Sequence, residues 1–238
     1  MNREIFAATL EQRLRSPVRL ALAAAILLFA SVPYLLAILY HQATGVVPST
    51  HGGLLGLVFA AGVLGQEFSS GAPQITFTRP LARWVWVLSR ALAVSALAAV
   101  VSLLPFGLAL VATHAPGEVS MAALEQVLAA IGTSAVLVGL SSLVPGLTDL
   151  ALIAGSKVGL GILAIVQQVA QKDDVKRAAE WIADHGAPWF EPKLELAPLL
   201  HGAGFSAHAL LLFLSTVLFW FVVACAMVNR KELSYATD

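Results

Sequence analysis

The chain has 238 residues, 58% hydrophobic and 12% charged, with a formal net charge of zero and a mean hydropathy of +0.83. One soluble core of this length cannot hide that much apolar surface, so the composition excludes an ordinary soluble domain and points to an integral membrane protein. Zero net charge provides no general attraction to nucleic acid, and the lone Cys225 excludes an intramolecular disulfide and a cysteine metal cluster.

The first apolar run begins near Pro17 and is too long for a signal-peptide core, so it is expected to remain as an anchor. Ahead of it, Asn2–Ser16 spaces Ile5, Phe6, Leu10 and Leu14 along one side and sets Arg3, Glu11, Arg13 and Arg15 largely away from them. That pattern predicts an amphipathic helix lying in the membrane interface rather than a plain juxtamembrane segment.

Six runs approach the roughly 20 apolar residues that a helix needs to cross a bilayer. They are Val18–Tyr40, Gly52–Gln66 (short unless it starts near Ser49), Trp84–Thr113, Ala122–Val144, Leu147–Gln168 and Ser206–Val228. An even count puts both termini on one side. With the termini inside, Arg3, Arg13, Arg15, Arg19, Arg79, Arg83, Arg90, Arg230 and Lys231 are inner and Lys172, Lys176, Arg177 and Lys193 are outer, which favours cytoplasmic termini.

The outward segments are then His41–His51, His114–Met121 and Val169–Phe205. In the last, Lys172–His185 spaces Val175, Ala178, Ala179 and Ile182 along one helical stripe. Gly186-Ala187-Pro188 is expected to break that helix, leaving Trp189 and Phe190 at headgroup level. Leu194–Leu200 is too short to span and reads as a re-entrant or interfacial turn, against the alternative of a solvated loop. One domain, 1–238, accounts for the chain.

Lys157 lies about ten residues into the fifth run, on the order of 15 Å from its cytoplasmic end. A cation at that depth has to face a cavity or find acceptors. A tight hairpin of the fourth and fifth runs would set Thr133 or Ser134 beside it. Lys157, Thr133 and Ser134 are therefore candidate translocation-path residues, with a snorkelling or neutralised lysine as the plain alternative. Gly155-Ser156-Lys157 lacks the strand and upstream glycine of a phosphate loop, so the energy of ATP would have to come from another chain. The six histidines, His41, His51, His114, His185, His201 and His208, lack metal-ligand spacing, and no metal is expected. Ser141 and His208 superficially resemble a membrane serine hydrolase pair but belong to opposite ends of their spans, too far apart to hydrogen-bond. Gly52-x-x-x-Gly56, Ala61-x-x-x-Gly65 and Gly155-x-x-x-Gly159 allow close helix approach.

Between the second and third runs, Gln66–Arg83 reads as a cytoplasmic hook. Ser69-Ser70-Gly71 releases the chain from the helix, Pro73 fits the first turn of a new one and Pro80 stops it. This predicts a short helix, Ala72–Thr78, offering Ile75 and Phe77, with Arg79 and Arg83 at its end.

Glu67, Gly71 and Thr78-Arg79-Pro80-Leu81-Ala82-Arg83, with Arg90 beyond them, resemble the membrane-spanning permease subunits of type-2 ABC exporters. So do the amphipathic start, the six runs with a large external segment before the last, and the basic Asn229-Arg230-Lys231-Glu232-Leu233. The resemblance implies an all-α membrane protein of six transmembrane helices. An interfacial helix (2–16), a cytoplasmic coupling helix (within 66–83) and an external helical cap (169–205) complete it. It also implies that Glu67, Gly71, Gln74, Ile75, Phe77, Arg79 and Arg83 contact a separate ABC ATPase subunit, which binds the ATP and Mg, with no cofactor in this chain. A second permease copy, as a homodimer, extracytoplasmic accessory proteins at 169–205 and a prokaryotic inner membrane follow from the same likeness. Competing expectations are a membrane scaffold that transports nothing and the intramembrane serine hydrolase.

Overall fold

The computed structural model describes residues 1–41, 44–46, 49–66, 82–113, 115–144, 148–169, 172–196, 199 and 206–233. The stretch 67–81, with the expected helix Ala72–Thr78, lies outside them. In chain order the helices are α1 Arg3–Leu14, α2 Pro17–Leu39, α3 His51–Ala60, α4 Arg83–Ser102, α5 Leu104–Ala112, α6 Pro116–Leu143, α7 Thr148–Val169, α8 Asp173–Phe190 and α9 Ala207–Leu233. There is no strand among the described residues.

Five stretches are long and apolar enough to cross a bilayer: Pro17–Leu39, Arg83–Ala112, Pro116–Leu143, Thr148–Val169 and Ala207–Arg230. That is the helix inventory of a multi-pass membrane protein. The second expected span is the exception: α3 has ten residues, about 15 Å or half a bilayer core, before the helix breaks. The third is two helices, because Pro105 has no N–H for the ladder and the chain tightens through Leu103, where Phe106 N donates to Leu103 O at 3.1 Å.

α6 is the central pillar and packs on α3, α4, α5, α7, α8 and α9. Its approach to α3 is close: a Cβ on Gly52 would come within 2.1 Å of Gln126 O, and one on Gly56 within 2.8 Å of Ala130 O. A Cβ on Gly139 would come within 2.4 Å of the Trp220 ring of α9. The small residues of α3 thus serve close packing. Gly155 and Gly159 of α7 face open space instead.

Ile5, Leu64, Trp86, Ile153 and Val228 meet in one apolar cluster, which brings the first and last helices to the same end of the bundle. At the opposite end Tyr34 and Ala37 of α2 pack with Phe106 and Ala109 of α5 and Val119 of α6.

Two local expectations are corrected. α1 forms where expected, capped by the Asn2 side chain, which accepts from Glu4 N and Ile5 N. Its buried stripe, however, is Thr9 and Arg13, with Leu14 exposed, because the helix packs on α4 and Asn2 N donates to Ser89 Oγ at 2.8 Å. α8 does not stop at Gly186-Ala187-Pro188 but continues to Phe190. Tertiary contact overrides the breaker: Trp220 Nε1 donates to Trp189 O at 2.8 Å, and Trp189 and Phe190 pack against Phe219 and Trp220, mid-way along α9. The chain after α8 turns back, with Leu194 and Leu196 buried against Phe213. The segment 173–196 therefore enters the bundle and leaves by the same end.

Gly52→Ala should destabilise the fold by about 1–3 kcal/mol, since backbone must move to admit the methyl group. Gly107→Ala, with nothing within 4 Å, should leave thermal unfolding of the detergent-solubilised protein unchanged or slightly raised.

Candidate functional site

At the end of α3, Ala61 is extended (φ −50°, ψ 127°) and Gly62 is left-handed (φ 63°), a conformation for which glycine is suited. Breaking a helix inside a membrane bundle strands backbone donors and acceptors that lipid cannot satisfy. Here side chains from four other helices take them up. Arg13 Nη1 of α1 donates to Ala61 O at 2.9 Å and Arg19 Nη2 of α2 at 3.3 Å. Gly62 N donates to Asp149 Oδ2 of α7 at 2.6 Å, and Leu64 N to Ser141 Oγ of α6 at 3.0 Å. Arg13, Ser141 and Asp149 are each at most 1% exposed. The charges of Arg13 and Arg19 act on Asp149, so the clasp carries its own counter-charge. Asp149 also accepts from Leu150 N at 2.9 Å in the first turn of its helix, where the helix dipole favours an anion.

About 6 to 12 Å from Ala61 along α3, from Leu57 to Gly53, lies a cavity of about 340 Å³ between α3, α6, α7 and the chain following α8. Gly53, Leu54 and Leu57 form its α3 wall, and Glu125, Gln126 and Thr133 its α6 wall. Lys157 and Ile153 come from α7, and Phe190 to Glu195 close it. Gln126 ties the first two walls: its Oε1 accepts from Gly52 N at 2.9 Å and its Nε2 donates to Ser49 O at 2.7 Å.

The lysine read from the sequence does meet acceptors, but not the expected ones. Lys157 Nζ donates to Glu191 Oε1, and Lys193 Nζ lies 3.1 Å from Glu191 Oε2. Burial raises the Glu191 pKa, but the hydrogen bonds and charges of the two lysines outweigh burial and hold the carboxyl below its ordinary value. Thr133 lines the same cavity, whereas Ser134 is fully buried and lies outside its lining. The reason is topological: residues after α8 return between α6 and α7 and reach Lys157 first.

Among the expected ATPase contacts, Arg83 is the first residue of α4 and half-buried. Glu67, Gly71, Gln74, Ile75, Phe77 and Arg79 lie outside the described residues. Ser141 is committed to the clasp, whereas His208 stands at the start of α9, about 18 Å along that helix from Trp220, the contact of Gly139. His51 is bound at both ring nitrogens, to Ser49 Oγ at 2.7 Å and Ser102 O at 2.9 Å. Among the described residues no group of three His, Cys, Asp or Glu side chains could hold a metal ion.

Sequence reading missed the clasp because Arg13 and Asp149 are far apart in the chain and each looks like an ordinary helix-end charge. The visible signal was Gly62 inside a run already too short to span. No protein-family model matches the chain, and no curated protein is similar to it.

Asp149→Asn keeps an acceptor for Gly62 N but removes the charge facing Arg13 and Arg19, and should cost about 3–5 kcal/mol of stability. Combining it with Arg13→Gln should cost less than the sum of the single changes by roughly 0.5–3 kcal/mol, measured as a double-mutant cycle of thermal unfolding.

Proposed function

We propose that this chain is the membrane permease subunit of an ATP-binding cassette exporter, driven by a separate ATPase seated on residues 66–83. The observation that carries the reading is how both ends of that segment are anchored. Its start emerges from the clasped break, and its end enters α4, where Trp86 is 1% exposed and Ser89 bonds α1. A pull on such a segment is delivered to buried, hydrogen-bonded groups rather than dissipated in a loose linker.

From the break the displacement has a rigid route. α3 is one short helix that ends in the clasp and whose other half walls the cavity, so a tilt of α3 moves Gly53, Leu54 and Leu57 against Glu125 and Thr133. Alternating exposure of the cavity to the two sides is the work ATP would perform. ATP and Mg²⁺ belong to the ATPase subunits. A second copy of the chain completes the membrane part, in a prokaryotic inner membrane with both termini in the cytoplasm. The exposed apolar flank of α7, which buries little besides Asp149 and Ile153, is available to lipid or to that copy.

The chain purified with its ATPase and reconstituted in vesicles should show vanadate-sensitive ATP hydrolysis. Arg79→Glu or Phe77→Ala should lower it about tenfold without loss of folded membrane subunit. Hydrolysis unchanged by both substitutions would contradict the coupling role of the segment.

A further inference from the structure

Two exposed stripes of opposite character run side by side at the edge of the bundle. On α7, Val158, Ile162, Ile165 and Val169 recur at helical spacing and are 63%, 55%, 61% and 72% exposed. On α8, Asp173, Arg177, Glu180 and Asp184 recur at the same spacing and are exposed too, and seven residues beyond Asp184 comes Glu191. Val175 and Ile182, also exposed, stand on the side of α8 opposite these charges.

The two helices share their depth. α8 starts four residues after α7 ends, packs chiefly on it and runs back until Glu191 meets Lys157. With a rise of about 1.5 Å per residue, Glu180 and Asp184 stand level with the stretch Val158–Ile165 of α7. α7 is long and apolar enough to cross a bilayer. Its exposed stripe, and Val175 and Ile182 of α8, then suit lipid. The charged stripe at the same depth does not, because ionised side chains within the hydrocarbon layer face water or protein rather than acyl chains. Among the described residues nothing covers Glu180 or Asp184. A second copy meeting the stripe across a twofold axis would set acid against acid, since Arg177 is the one cation among the four and already pairs with Asp174 at 2.7 Å. Water is the occupant that suits the stripe.

We propose that the charged stripe of α8 borders a water-filled cleft, which enters the membrane from the end where α7 and α8 join and leads to the cavity at Lys157 and Glu191. Glu191 belongs to both, since it continues the stripe and lines the cavity. The cleft admits water and small hydrophilic solutes, and the cavity is reached from that side of the membrane. The assignment requires α7 to cross the bilayer; it does not depend on an ATPase or on export.

The test is thiol accessibility of the full chain in native membranes opened to both sides, in a Cys225→Ser background and with the membrane-impermeant reagent 2-(trimethylammonio)ethyl methanethiosulfonate. Glu180→Cys and Asp184→Cys should react within about tenfold of the rate of Lys172→Cys, which precedes α8, whereas Ile162→Cys and Ile165→Cys should react at least about a hundredfold more slowly. Arg177→Cys gives a third position on the stripe if an acidic variant does not fold. Stripe cysteines as protected as Ile162→Cys would mean that lipid or another chain covers them, and would overturn the cleft. Ile162→Cys as reactive as Glu180→Cys would put the α7–α8 hairpin outside the bilayer and overturn it equally. A reactive stripe beside an unreactive α7 flank, in a chain without ATP-driven transport, would leave the cleft standing and count against the permease reading alone.

Discussion

The structure depends on one constraint: a helix broken at Ala61–Leu64 within the bundle must have its freed backbone groups satisfied by protein, because lipid offers no partner and each unsatisfied group costs several kcal/mol. Arg13, Arg19, Asp149 and Ser141 meet that demand. To deliver them, α1 has to fold back against α4, α2 has to start beside the break, α7 has to begin under it and α6 has to end next to it. The placement of four helices around one end of the bundle follows from four hydrogen-bonding side chains. Two arginines facing one buried carboxylate also make the arrangement specific, since moving α7 away would leave both arginine charges without Asp149.

The break and the cavity are the two ends of a single lever. α3 is only ten residues long, so it behaves as one rigid piece. Its glycines bring it so close to α6 that it cannot slide without disturbing Gln126, which bonds Gly52 N and Ser49 O. On the far side of the cavity the bridge from Lys157 to Glu191 joins α7 to the chain returning from α8. Displacement at the clasp therefore reaches the cavity from two directions, through α3 and through α7, which holds Asp149 in its first turn and carries Lys157 eight residues later.

Much of the helical framework was legible in the apolar runs, since length and hydropathy report directly on what can cross a bilayer. α2 and α7 fall close to their expected limits, α6 starts six residues before its expected run and α9 extends five residues beyond its own, and α3 stood out as too short. Interactions between distant residues were not legible. Periodicity placed Arg13 away from the apolar side of α1, but the helix packs on protein rather than lipid, and its buried stripe is chosen by Ser89 of α4 and the open carbonyl of Ala61. Counting Arg13 and Arg19 as topology signals treated as surface charges two residues that hold a backbone break. Local rules ended α8 at Gly186-Ala187-Pro188, whereas Trp220 draws it on to Phe190. For the same reason Thr133 shares the cavity with Lys157 but does not pair with it: the competitor, Glu191, arrives from a turn whose path depends on that longer helix.

The measurement that tests the clasp most directly is residue-resolved hydrogen exchange of the Gly62 and Leu64 amides in the detergent-solubilised chain. Neither amide belongs to a regular helical ladder, yet hydrogen bonds to Asp149 and Ser141 should protect them as strongly as amides in the interior of α4, with Asp149→Asn reducing the protection of Gly62 first. Exchange of both amides at the rate of an open turn would contradict a clasped break.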